Sequence, residues 1–229
     1  AASDLCCGPQ TPRVRDAKID LFKANLKPCR IHNNCSGKHS GFLTLTKHLG
    51  AGANYVSIDH PVQKACLEAY EMTTNEISPS FGIDGCSAPN HAFTLKGIAK
   101  AMAWFADAKS RSDTSSKSAV RIIDAMLRYP ELVAGEGRAC TELMRAAQGK
   151  VALKTGAEGF VVAIIPEKKM GVALIVLDGA TRASECVIAS ILVGLGVLNP
   201  ANPIVEKYLH PSILNWDGLK TGFIKPLIK

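Results

Sequence analysis

Cys35, Lys38 and Cys86 are the residues from which chemistry can be read first. They stand in two short segments, His32-Asn33-Asn34-Cys35-Ser36-Gly37-Lys38-His39-Ser40-Gly41 and Gly82-Ile83-Asp84-Gly85-Cys86-Ser87-Ala88-Pro89-Asn90-His91. Both gather thiols, imidazoles, a carboxylate or a lysine among small residues, which let a backbone approach a bound ion or substrate closely. Two thiolates from separate segments suit a soft or borderline divalent ion, with zinc the default. A lysine joins such a set only after losing its proton. If a helix opens at 38, Cys35 stands just before its N-terminus, where free N–H groups and the helix dipole favour a thiolate. The plainer reading makes both cysteines small buried side chains. There is no CxxC pair to decide between the two.

His39 and Asp84 flank these residues and could orient a polar substrate. Each also has an ordinary reading, His39 as a capping or surface residue at a helix start and Asp84 as a turn aspartate between glycines. A Cys35–His39 nucleophile pair is conceivable, but no third residue stands ready to orient the histidine. A phosphate loop at Gly37-Lys38 is excluded, because His32 stands where the first glycine is needed and His39 follows the lysine in place of Ser or Thr. A third segment, Lys154-Thr155-Gly156-Ala157-Glu158-Gly159, sits between apolar runs. Its first three residues resemble the strand motif of serine β-lactamases and penicillin-binding proteins. The companion Ser-x-x-Lys occurs nowhere in the chain; Thr44-Leu45-Thr46-Lys47 is its nearest imitation and reads as ordinary helix surface.

These residues must be positioned by a fold of some size. With 229 residues, 47% of them hydrophobic and 21% charged, the chain can build a real core and is not disordered. The net charge of +7 is scattered, without a basic block interleaved with aromatics, so it speaks for solubility and against nucleic-acid binding. Eight cysteines would suggest a disulfide framework in a small secreted chain. In a chain this large, with Cys66, Cys140 and Cys186 in apolar contexts and no signal peptide, a reducing cytoplasm fits better. The most apolar run, 186–198, is too short to span a bilayer.

Periodicity predicts helices over 16–27, 38–50 and 60–76, the last capped by Asp59 with Pro61 in its first turn. Strand and turn follow over 81–89. Further helices are expected over 93–108, 117–128, 131–134 and 138–147, with a serine-rich surface loop over 109–117. Three β-branched runs, 151–154, 160–165 and 170–177, read as strands joined by tight turns, hence an antiparallel sheet. A helix over 182–195, capped by Thr181 or Asp178, precedes an irregular tail. Helices on the faces of such a sheet make a single α+β domain over 1–229.

Taken in order, six segments resemble the rhizobial-type asparaginases, the asparaginase II family. They are His32 to His39, His60-Pro61-Val62-Gln63, Gly82 to Pro89, Lys154 to Gly159, Asp178-Gly179-Ala180-Thr181-Arg182 and Asn215-Trp216-Asp217-Gly218. The resemblance runs from about Asp4 to Pro226. It implies a serine β-lactamase-like fold and hydrolysis of L-asparagine to L-aspartate and ammonia. It also implies zinc held by Cys35, Lys38 and Cys86, a catalytic role for Lys154, substrate contacts from Asp84, His39 and Glu158, and a homodimer. The family's nucleophilic serine and helical lysine lie in an N-terminal portion with no counterpart here, so upstream sequence is expected to be missing. A catalytically inactive remnant that binds zinc and an amino acid is the alternative. A penicillin-type acyl enzyme is disfavoured by the lack of Ser-x-x-Lys.

Overall fold

The structure is a computed structural model in which residues 1–227 are described. It divides into two compact units, Ala1–Thr94 and Leu95–Lys229, each taken here by itself.

The first unit contains helices α1 (Arg15–Lys23), α2 (Ser36–His48) and α3 (Pro61–Thr74) and the antiparallel pair β1 (Phe81–Ile83) and β2 (Pro89–His91). Helix α2 starts two residues earlier than its apolar stripe suggests, because Asn33 builds its entry. The Asn33 side chain accepts from the Cys35 N–H at 2.8 Å and donates to the Gly8 carbonyl at 2.8 Å, tying the turn to the N-terminal segment. Asp59 does not cap α3. His60 is the N-cap, and its Nδ1 accepts from the Val62 N–H at 3.2 Å while Pro61 occupies the first turn as expected. Histidine is an unusual cap, so the stronger capping type next door drew the expectation. The small core of this unit joins Leu5, Cys7 and Cys86, with Cys35 and Leu43 packed against them. Tyr55 is completely buried, its carbonyl held by the Gln63 side chain at 2.7 Å.

The second unit opens with α4 (Leu95–Ala106), α5 (Thr114–Arg128), α6 (Pro130–Ala134) and α7 (Ala139–Ala146). Helix α5 begins inside the stretch expected to be loop, because Asp113 accepts from the Ser116 N–H and nucleates it early. Strands β3 (Ala152–Thr155), β4 (Val161–Ile165) and β5 (Met170–Leu174) follow as one antiparallel sheet in the order β3-β4-β5. Register pairs Lys154 with Val162 and Thr155 with Val161, which leaves β3 with one free edge. Alternation sorts the sheet's two faces. Val151, Leu153, Val161, Ala163 and Ile165 join the main core with α7, α8 (Thr181–Gly194) and α9 (Pro203–Leu209). Ala152 and Ile164 face Ala106 of α4 and Ile123 of α5. Helix α4 lies so close to β5 that a Cβ on Gly171 would stand 2.2 Å from the Ala99 carbonyl oxygen and 2.3 Å from the Ala103 nitrogen.

Neither Thr181 nor Asp178 caps α8. Its N-cap is Ala180, and Asp178 instead accepts from the Ala180 N–H at 2.8 Å and pairs with Arg182. The tail expected to be irregular holds α9 and a hairpin of β6 (Ser212–Leu214) and β7 (Lys220–Phe223), turned at Asn215-Trp216-Asp217-Gly218. The architecture is α+β, with small antiparallel sheets and flanking helices.

Candidate functional site

Lys38, His39, Asp84 and Cys86 come together in the first unit. The start of α2 presents Cys35 as its N-cap and carries Lys38 and His39 in its first turns. The β1–β2 loop supplies Asp84 and Cys86. That loop is wound around the Asp84 carboxylate. Oδ1 accepts from the Cys86 N–H at 2.9 Å, the Ala88 N–H at 3.0 Å and the Cys86 thiol at 3.0 Å, while Ser87 takes a left-handed φ of 72°. Oδ2 receives the Lys38 ammonium at 2.5 Å. Asp84 is thus a turn aspartate and a charged site residue at once.

The electrostatics follow from these contacts. Burial works against the Asp84 charge, but Lys38, the Cys86 thiol and the two backbone N–H groups outweigh it and hold the carboxyl at about 2. Burial likewise opposes the Lys38 charge, and Asp84 and Cys86 more than restore it, raising the amine. The Cys86 thiol is pushed up to about 12, first by burial; Lys38 draws it down, and Asp84 and Cys35 push it up further. Beside it, burial raises Cys7, with Cys35 adding to the shift.

His39 is wholly buried, and burial and then Lys38 lower its pKa. Its Nδ1 meets the Tyr55 hydroxyl at 2.8 Å, and the ring stands edge-on to Tyr55 and to Phe42. Its Nε2 is buried and makes no hydrogen bond by strict geometry, while the Cys86 backbone stands close enough to the ring to raise its pKa against burial and Lys38. The Tyr55 hydroxyl also accepts from the Cys6 N–H at 2.6 Å. Nothing in Ala53-Asn54-Tyr55-Val56 singled Tyr55 out from the sequence.

Two soft sulfur donors, an amine and a carboxylate suit zinc in type. In the arrangement seen, however, Lys38 is an ammonium engaged with Asp84 and Cys86 is a protonated thiol, so a metal would have to displace their protons. Among the described residues, no three His, Cys, Asp or Glu side chains gather as a metal cluster. The trio named from the sequence contains only two such residues and is completed by a lysine.

Lys154 and Glu158 belong to the second unit. Lys154 is exposed on β3, its Nζ donating to the Thr155 carbonyl at 2.5 Å. Behind the strand, the Thr155 N–H donates to the Cys140 sulfur at 3.1 Å, and the Cys140 thiol meets the Thr155 hydroxyl at 3.4 Å. From the sequence, Cys140 stands simply in an apolar context. It is buried, and it also satisfies an edge-strand donor. Glu158 is exposed in the turn after β3 with φ 56°, followed by Gly159 at φ 69°, where a Cβ would lie 2.2 Å from the Val176 side chain.

The family model for L-asparaginase II matches residues 1–226. The chain belongs to the L-asparaginase II family. The match takes in both units of this asparaginase-family chain and all the segments that carried the resemblance. No curated protein matches it. Among its described residues, no helix is long and apolar enough to cross a membrane.

Proposed function

We propose that this L-asparaginase II family chain serves the hydrolysis of L-asparagine to L-aspartate and ammonia. The observation that carries the reading is the wall made by Lys38, His39, Asp84 and Cys86, within residues matched by the family model. A free amino acid presents an ammonium and a carboxylate a few bonds apart. Asp84, ionised and part-buried, is a natural acceptor for the ammonium; Lys38 fills that place now. His39 offers a buried ring nitrogen to an oxygen of the substrate. Cys35, Lys38 and Cys86 would hold zinc, which when bound would supply a fixed positive charge and a brace for this wall.

The acyl transfer requires a serine that attacks the side-chain amide carbon, ammonia leaving as the carbon–nitrogen bond breaks and water then freeing aspartate. No serine in these residues has a lysine three positions on, so the nucleophile is assigned to sequence outside them. Lys154, on the free edge of β3, manages proton transfer at that serine; Glu158 contributes from the turn behind it.

The missing nucleophile pattern also favours a second reading, a non-catalytic protein that binds zinc and an amino acid. Ammonia release from L-asparagine, measured for this chain alone and joined to the coding sequence preceding Ala1, separates the two. Turnover in either form supports the hydrolase. Calorimetric binding of L-asparagine without turnover in both forms replaces it with the binding protein.

A further inference from the structure

The Tyr55 hydroxyl has two neighbours at hydrogen-bond distance, the Cys6 backbone N–H at 2.6 Å and His39 Nδ1 at 2.8 Å. The first of these can only donate. The phenol oxygen therefore acts as acceptor toward Cys6, and its single proton must go elsewhere. Tyr55 is fully buried, so bulk solvent does not take that proton, and leaving it unpaired would carry the full desolvation cost. The Cys6 thiol also lies within hydrogen-bond reach of the hydroxyl and competes for the proton, but sulfur is the weaker acceptor beside an imidazole nitrogen. The proton goes to Nδ1. Nδ1 is then unprotonated, and in a neutral ring the remaining proton sits on Nε2.

We propose that Tyr55 is a positioning residue that fixes His39 as its Nε2–H tautomer and so presents one buried, unspent donor to an oxygen of a small carboxylate or amide ligand. Three placements support this: Nε2 is buried without a hydrogen-bond partner, His39 is completely enclosed, and the adjoining residue, Lys38, is paired with Asp84 in the same wall. Tyr55 is itself held from two sides. Gln63 of α3 grips its carbonyl at 2.7 Å, and its ring packs on Phe42 at 5.8 Å between centroids. The inference deepens the asparaginase reading and rests on it for the identity of the ligand, though not for the tautomer.

The test uses the whole chain labelled with nitrogen-15. Long-range proton–nitrogen spectra report which ring nitrogen of each histidine bears hydrogen, and His39 is identified by the signals lost in His39→Gln. The expected result is an unprotonated Nδ1 and a protonated Nε2, with the Nε2–H signal moving on saturation with L-aspartate. In Tyr55→Phe the ring packing stays and the phenolic proton goes, so the Nδ1–H form becomes populated and L-aspartate binds about tenfold more weakly, the loss of one good hydrogen bond. A protonated Nδ1 in the unaltered protein overturns the proposal, and that result needs no variant to fold. An unmoved Nε2–H under saturating L-aspartate overturns the ligand-facing half, since the donor is then spent on the Cys86 carbonyl. Tyr55→Phe with unchanged tautomer and affinity removes the positioning role. Ammonia release is read separately, in the chain joined to the coding sequence preceding Ala1: the stated tautomer without hydrolysis there leaves Tyr55 in place and removes the hydrolase.

Discussion

Asp84 holds its own loop together and offers a charge to a ligand, and two substitutions separate the roles. Asp84→Ala deletes the acceptor of two backbone N–H bonds, at 2.9 and 3.0 Å, and the partner of Lys38. Each backbone bond is worth about 1 kcal/mol net, and a part-exposed ion pair up to about 1 kcal/mol. Because Cys86 and Ala88 are buried, their stranded N–H groups add to the loss, for a total of about 2–4 kcal/mol. Asp84→Asn keeps an oxygen where Oδ1 sits, so the loop survives at a cost of about 1 kcal/mol, while the charge is gone. Urea unfolding followed by far-UV circular dichroism measures the first quantity, and calorimetry with L-asparagine the second. Asp84→Ala as stable as the parent would refute the loop argument. Asp84→Asn with parental affinity would refute the assignment of the ammonium to Asp84. The pH dependence has a fixed sign. The folded carboxyl, at about 2, lies below its ordinary value of 3.8, so its contribution is complete above about pH 4 and fades as pH falls toward 2. Asp84→Asn removes that acid limb.

Zinc, if it binds at Cys35, Lys38 and Cys86, must expel protons from Lys38 and Cys86, both held high. Calorimetry in buffers of different ionisation enthalpy is expected to count at least two protons released per ion, and affinity independent of pH would exclude these ligands. Gly171→Ala forces a methyl into the backbone of α4. A loss of about 1–3 kcal/mol or more is expected in urea unfolding, and none would mean that helix and strand are not in contact. Glu142 accepts from Lys207 at 2.7 Å and from the Tyr208 hydroxyl at 2.5 Å. Burial opposes its charge, yet these partners lower its pKa from 4.5. Its stabilisation is therefore present above about pH 4.5 and lost below, and Glu142→Gln flattens that part of the unfolding profile against pH.

The parts of the site that sequence made legible share one property. Cys35, Lys38, His39, Asp84 and Cys86 lie in two segments where reactive types crowd among glycines and serines, and no packing demand explains such crowding. Tyr55 was hidden because its partners, Cys6 and His39, are 49 and 16 residues away and its neighbours carry no pattern. Cys140 was hidden for a related reason, since a buried thiol that accepts from a strand edge has the same local sequence as one that merely fills space. Among the elements, the long periodic helices and the three β-branched strands were readable. The hairpin of β6 and β7 was not, because strands of three and four residues are too short for alternation to register. At helix starts, propensity pointed to Asp59 and to Thr181 or Asp178, whereas tertiary placement chose His60 and Ala180.

Both tryptophans of the chain lie in the second unit. Trp104 is stacked under the Arg111 guanidinium at 4.5 Å, and Trp216 stands fully in solvent at the tip of the last hairpin. Tryptophan emission therefore originates only in the unit that carries Lys154. The unit that carries Asp84 and Cys86 has no tryptophan, and one of its tyrosines, Tyr55, touches the proton under study. A titration followed by tryptophan emission alone therefore draws no signal from a fluorophore of the amino-acid wall itself.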